Sequence, residues 1–218
     1  MKNARALIVF ARSPVTGKVK TRLTRLLTFE EAADLYRAFL HDALVQYTTL
    51  NVDVRLYWAN SAPPQIPCYG TSVHRQEGSD LGARMRHAFE QTRDAGYERI
   101  VIIGTDHPTL PSEYIRDAFS ALGGQPAIAI GPTEDGGYYL LGMAPLFETL
   151  FSGIAFSQPD VFVETLKRAR RTNARVTILP IWYDVDRPAD LKRLVAARDL
   201  VPPRTAEVLQ ELVRTYDL

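Results

Sequence analysis

Residues 12 to 23, RSPVTGKVKTRL, set Arg12, Lys18, Lys20 and Arg22 around one proline and one glycine, directly after the apolar run ALIVF. Cations in a bent loop at the end of a strand can hold a nucleoside di- or triphosphate through charge-assisted hydrogen bonds. A Walker A loop is excluded. That motif needs a glycine five positions before Gly17, where Arg12 stands, and a hydroxyl after its lysine, where Val19 follows Lys18. The cluster also suits a solvated basic loop, so its weight depends on where the fold puts it.

The acids tell a second part. An apolar, β-branched run ending in IIGTDHPTL (102–110) delivers Asp106 to a sheet edge, with Gly104 allowing close backbone approach and Pro108 ending the strand pairing. Mg²⁺ takes one or two protein carboxylates and completes its octahedron with water and phosphate oxygens, which Asp106 suits; a turn or helix-capping aspartate is the plain alternative. YDVDRPADL (183–191) adds Asp184 and Asp186, which point the same way in an extended segment, so one of them can complete the metal site. Asp186 can equally start the helix whose first turn holds Asp190. In GPTEDGGYYLLG (131–142), Asp135 can face a substrate while Gly136 and Gly137 leave room beside it and Tyr138 or Tyr139 stacks on a ring. An Asp-Gly pair is also an ordinary hairpin signal, and the stretch alone does not choose. Of the four histidines only His107, beside Asp106, is a site candidate, and no Ser-His-Asp or Cys-His arrangement is present in the sequence pattern.

Strand-length apolar runs alternate with helical periods, the signature of an α/β layered domain with a mainly parallel sheet. Strands are predicted at 4–10, 52–58, 99–104, 127–131, 138–143 and 175–180. The pair flanking residues 134–137 is close enough for an antiparallel hairpin insertion. Helices are predicted from Thr28, with Thr28 and Glu31 as a capping box, from Asp80 to near Gly96, over 112–122, over about 159–172, and near 188–200 and 205–217. Ligands of open α/β sheets bind beyond the carboxyl ends of the strands. That rule selects the loops at 11–22 and 76–84, Asp106, the Asp135 turn, and Asp184 with Asp186.

Bulk properties narrow the class. The chain has 218 residues, 46% hydrophobic and 23% charged, with formal net charge +1, which gives no global field toward nucleic acid or membrane. Residues 1–29 hold seven Lys or Arg and no acid, so the positive charge is local. No apolar stretch exceeds strand length and no export signal is read, so a cytoplasmic protein without a membrane span is expected. The single cysteine, Cys68, excludes an internal disulfide and multi-cysteine metal sites. NSAPPQIP (60–67) reads as a proline-rich loop.

Five ordered blocks, FARSPVTGKVKTRL, QEGSDLGARM, IIGTDHPTL, GPTEDGGYYLLG and YDVDRPADL, make the sequence resemble a bacterial family of small GT-A-type glycosyltransferase-like proteins, related to sugar and cofactor nucleotidyltransferases. The resemblance runs nearly end to end. It implies one three-layer α/β/α nucleotide-diphospho-sugar transferase domain over 1–218. By analogy Arg12, Lys18, Lys20 and Arg22 hold the phosphates, Gln76, Asp80, Gly82 and Arg84 lie along the base and ribose, and Asp106 and Asp186 hold Mg²⁺ or Mn²⁺. Two departures stand out: Phe156-Ser157-Gln158 replaces a common Trp-Ser-Thr, and Asp106-His107-Pro108 replaces the D-x-D of metal-dependent glycosyltransferases. The expected activity is glycosyl transfer from a nucleotide sugar to a small-molecule acceptor, with Asp135 as base and Lys20 or its neighbours stabilising the leaving group. Nucleotidyl transfer from a nucleoside triphosphate, with loss of pyrophosphate, uses the same residues. A nucleotide-binding module without catalysis is the third reading.

Overall fold

The computed structural model describes residues 4–59, 69–124, 126–156 and 158–217. The proline-rich loop, Cys68 and Ser157 lie outside these. Among the described residues seven strands form one sheet in the order β3-β2-β1-β4-β6-β5-β7. They are β1 (Arg5–Ala11), β2 (Asp53–Trp58), β3 (Ser72–Arg75), β4 (Arg99–Ile103), β5 (Ala127–Pro132), β6 (Tyr138–Ala144) and β7 (Arg175–Ile178). Only β6 opposes the others, pairing antiparallel with both β4 and β5, while every other ladder is parallel.

The predicted hairpin is therefore built into the middle of the sheet. Room for it comes from small residues: Gly142 faces Val101 and Ala129, and a Cβ on it would press on Val101 at 3.0 Å. Gly131 likewise yields its side-chain space to the ring of Tyr139.

The helices are α1 (Phe29–Thr48), α2 (Leu81–Asp94), α3 (Ser112–Ala121), α4 (Val161–Ala169), α5 (Pro188–Ala196) and α6 (Pro203–Tyr216). The Thr28–Glu31 capping box and the Asp80 N-cap form as predicted. β1 is buried on both faces because α1 and α3 pack on one side, against Leu7 and Val9, and α2 and α4 on the other, around Ala6 and Ile8. The amino-terminal half of α1 joins α5 and α6 in a third apolar cluster around Leu35, Phe39, Leu191 and Leu209. These are the three layers expected from the sequence. The strand β3 was not predicted. Its four residues, SVHR, lie mostly exposed at the sheet edge and carry no apolar run. Among the described residues no helix is long and apolar enough to cross a membrane.

α6 begins Pro202-Pro203 and has no side-chain cap of its own. Its first free amides are taken instead by the buried carboxylate of Asp42 on α1, which accepts from Arg204 N at 3.2 Å and Thr205 N at 2.7 Å. Buried donors left without a partner cost about 1–3 kcal/mol each. Asp42→Ala is expected to lower unfolding free energy by about 2–3 kcal/mol, and Asp42→Asn by less, because one acceptor oxygen remains. Urea denaturation checks this; a loss under about 0.5 kcal/mol, the range of surface substitutions, would show that water caps α6 equally well.

Candidate active site

Because six strands share one direction, the ends of β1, β4 and β7 reach the same edge, and the reversed β6 brings its starting end there too. A cleft of about 840 Å³ opens along this edge. Arg12, Lys20, Arg22, Gln76, Arg84, Asp106, Asp135, Gly137 and Asp186 line it, as do Asp184 and Arg187.

Lys20 lies at its centre. Val19 and Leu23 are buried in the third cluster and fix the loop on either side of it. Its backbone takes the left-handed conformation, φ 48°, which is costly for a side chain with a Cβ and marks a position dictated by its surroundings. The side chain is only 3% exposed. The ammonium is 2.5 Å from Asp106 Oδ1 and 3.0 Å from Asp186 Oδ1, with the rings of Tyr36 and Phe39 at 5.9 and 5.7 Å. Arg22 Nη1 adds a contact to Asp186 Oδ2 at 3.3 Å.

Each partner is held in turn. Tyr36 on α1 ties the loop to β4: its hydroxyl pairs with Thr105 Oγ1 at 2.9 Å and accepts from Arg12 N at 3.0 Å. The Asp106 carbonyl accepts from Val185 N at 2.8 Å, which joins the two acidic segments. Asp190, in the first turn of α5, accepts from the amides of Asp186 and Arg187 at 3.1 and 2.7 Å. Capping thus falls to Asp190, and the Asp186 carboxylate is left to Lys20 and Arg22.

Burial opposes charge on Lys20, Asp106 and Asp184, and at the first two the partners outweigh it. Lys20 is held more basic than usual, since Asp106 and Asp186 outweigh its desolvation. Asp106 is held below the ordinary 3.8 against desolvation, chiefly by Lys20. Asp184 moves the other way. Burial raises it, and His107, with Nδ1 at 3.6 Å, only partly compensates.

The remaining sequence candidates divide. Gln76 is buried, its Nε2 donating to the carbonyls of Ala11 and Tyr57 and so joining β1 to β2. Arg84 Nε donates to Gly78 O. Asp135 borders the cleft, but its Oδ1 already accepts from the Thr133 hydroxyl at 2.6 Å and the Gly137 amide at 3.2 Å. Lys18, Asp80, Gly82 and Gly136 do not line the cleft. Lys18 is exposed, and its amide closes a turn onto Val15. Asp80 spends its carboxylate capping α2. Gly82 lies where a Cβ would enter the ring of Phe156, and Gly136, φ 91°, sits where one would meet Pro159 O at 1.8 Å. Both glycines serve the cleft walls by close packing. Tyr36, Asp190 and Arg187 were missed as site residues; only the position of Tyr36 near the start of α1, on its core face, hinted at a role.

Two carboxylates converging on one cationic atom also fit a hard divalent ion, which takes one or two such ligands beside water and phosphate oxygens. Asp106 and Asp186 could hold Mg²⁺ or Mn²⁺. Among the described residues no group of three or more His, Cys, Asp or Glu forms a fuller cage.

A family profile described as "Uncharacterized protein conserved in bacteria (DUF2064)" matches residues 45–158. The chain belongs to this family. It is 31% identical over 179 residues to a phosphoenolpyruvate guanylyltransferase of Roseiflexus castenholzii, covering 79% of this chain and 80% of that protein. A 2-phospho-L-lactate guanylyltransferase of Methanocaldococcus infernus is 25% identical over 184 residues, covering 82% and 79%. A crystal structure described provisionally as a nucleotide-diphospho-sugar transferase, from Desulfovibrio desulfuricans G20, superposes with TM-score 0.89 and 34% identity over 99% of both chains. The DUF2064 chain therefore has the GT-A-like fold expected from its sequence and is a transferase, and the resemblance read from the five blocks holds.

The ion pair gives a pH signature. Asp106 is depressed, so its contribution to stability is full above the ordinary carboxylate value of 3.8 and is lost as pH falls below it. Lys20 is raised, so its contribution is full below 10.5 and fades above. The stability difference between wild type and Asp106→Asn is expected to be largest between those values and to shrink on both sides, measured by denaturant midpoints across pH. A difference independent of pH would show that the carboxylate charge is not what Lys20 responds to.

Proposed function

We propose that the chain is a nucleotidyltransferase that moves a guanylyl group from GTP to the phosphate of a small phosphorylated acid and releases pyrophosphate. The observation that carries the reading is the meeting of Lys20, Asp106 and Asp186 at the centre of a cleft that also presents Arg12, Arg22, Arg84 and Arg187. With Asp135 and Asp184 counted, five cations face four carboxylates, a near balance that suits a triphosphate accompanied by a divalent ion. An oxygen of the acceptor phosphate attacks the α-phosphorus in line. The bond from that phosphorus to the oxygen bridging to the β-phosphate breaks, and its electron pair leaves with pyrophosphate. In this reading Lys20 and Arg22 neutralise charge on the α-phosphate and the leaving group. Mg²⁺ or Mn²⁺ on Asp106 and Asp186 would add further neutralisation of the phosphates. Gln76, its amide nitrogen committed to two carbonyls, has its Oε1 left for an N–H of the base.

Asp135 supports this choice over glycosyl transfer. A sugar acceptor attacks through a hydroxyl and needs a base, whereas a phosphate is already ionised at neutral pH. One oxygen of Asp135 is already held inside its own turn by Thr133 and Gly137, so the base expected from the sequence has only Oδ2 to offer. The names of the two guanylyltransferase relatives point the same way, and a cytoplasmic location goes with the reading. Glycosyl transfer from a nucleotide sugar stays as the second reading, favoured by the description of the Desulfovibrio structure.

Phosphorus NMR separates the two. With GTP, Mg²⁺ and phosphoenolpyruvate or 2-phospho-L-lactate, free pyrophosphate and a new phosphoanhydride, seen as two mutually coupled phosphorus signals, are expected. Release of GDP from a GDP-sugar, without pyrophosphate from GTP, would establish the second reading instead. Lys20→Ala is expected to lower kcat/KM by about 10²–10³-fold, the usual loss for removing one preorganised charge-stabilising group. A loss below about threefold would take Lys20 out of the reaction.

A further inference from the structure

We propose that Lys20 is an internal counter-ion that keeps free divalent cations off Asp106 and Asp186, so that a metal ion binds there only in company with a polyphosphate. The inference rests on the metal site of the preceding reading and adds a condition for its filling.

Charge balance is the first ground. The two carboxylates meet two cations of the protein itself, Lys20 touching both and Arg22 touching Asp186. The group is already neutral. A dication added to the same oxygens would stand beside an ammonium that lies 2.5 Å from one of them and 3.0 Å from the other, and like charges at such range repel even where the carboxylates themselves are partly exposed.

The second ground is that Lys20 has nowhere to retreat. Its side chain is almost wholly covered, Tyr36 and Phe39 flank it, Val19 anchors the preceding residue in the core, and its own backbone is held in the left-handed region. An exposed lysine would swing into solvent when a metal arrived; this one stays. Arg12 lines the same cleft and adds to the positive charge around Asp106. A polyphosphate reverses the balance. Its three or four negative charges give Lys20, Arg22 and Arg12 new partners, and the carboxylates then have charge to spare for a divalent ion.

The first experiment titrates Mn²⁺ alone, followed by electron paramagnetic resonance, into wild type, Lys20→Met and Lys20→Arg. Lys20→Met is expected to bind Mn²⁺ about tenfold more tightly than wild type or better, and Lys20→Arg to behave as wild type. Equal affinity in wild type and Lys20→Met, or weaker binding by the variant, overturns the proposal.

A second measurement needs no variant, in case Lys20→Met does not fold. The thermal midpoint of wild type is read with Mn²⁺ alone, with a non-hydrolysable α,β-methylene analogue of GTP alone, and with both. Mn²⁺ alone is expected to leave the midpoint unmoved, and the pair to raise it by more than the sum of the separate shifts. A clear shift with Mn²⁺ alone overturns this proposal and leaves the metal reading standing. No response to Mn²⁺ in any protein, even with the nucleotide analogue, overturns both.

Discussion

A buried ammonium must recover what it loses on leaving water, and in this fold Lys20 does so only if two carboxylates from distant parts of the chain arrive together. Residues 20, 106 and 186 belong to the loop after β1, the end of β4 and the lead into α5. Much of the surrounding structure can be understood as holding these three in register. Val19 and Leu23 fix the loop, Tyr36 fastens it to Thr105, and the Val185 amide ties the last acidic segment to Asp106. Asp190 then takes over the capping of α5. If any of these ties fails, an uncompensated charge is left in the protein, which costs more than a lost surface contact.

The walls of the cleft rest on a different device, close backbone approach. The turn at Asp135 leans on the segment before α4, where Gly136 admits Pro159 O and the Gly136 carbonyl accepts from Phe162 N at 2.9 Å. Across from it, Gly82 admits the ring of Phe156 at the start of α2. Phe156 is one of the residues by which the chain departs from the Trp-Ser-Thr pattern. A larger indole there would meet the same glycine, so the departure bears on how the α2 end of the cleft packs.

Most elements were legible in the sequence because their signals are local. The β-branched runs of β1 and β4, the Thr28–Glu31 box and the Asp80 cap need only near neighbours to act. What stayed hidden is non-local. The insertion of β6 between β4 and β5 depends on Gly142 and Gly131 meeting particular side chains across the sheet, which no period reveals. β3 is too short and polar to announce itself. Among the basic residues of the first loop, composition could not tell Lys20 from Lys18. The distinction comes from the fold: Lys18 lies exposed in the turn closed onto Val15, whereas the left-handed backbone at Lys20 goes with a side chain that is covered and faces the two carboxylates. Asp186 could equally have capped α5 on paper, and only the position of the first turn of α5 gives the cap to Asp190 and leaves Asp186 to the cleft.

The placement of β6 also sets a length. The loop bearing Lys20, the end of β4 with Asp106, and the turn before β6 leave three successive strands of one ladder. Neighbouring strands stand about 4.8 Å apart, so the outer two are separated by about 10 Å, roughly the span of a few linked phosphate groups. Hydrogen bonding along the sheet fixes the spacing of the strand ends, and the loops decide which side chains bridge it, as Lys20 does in coming within 2.5 Å of Asp106. Substitutions in the loops can retune what is gripped, while a ligand of quite different reach would require another strand.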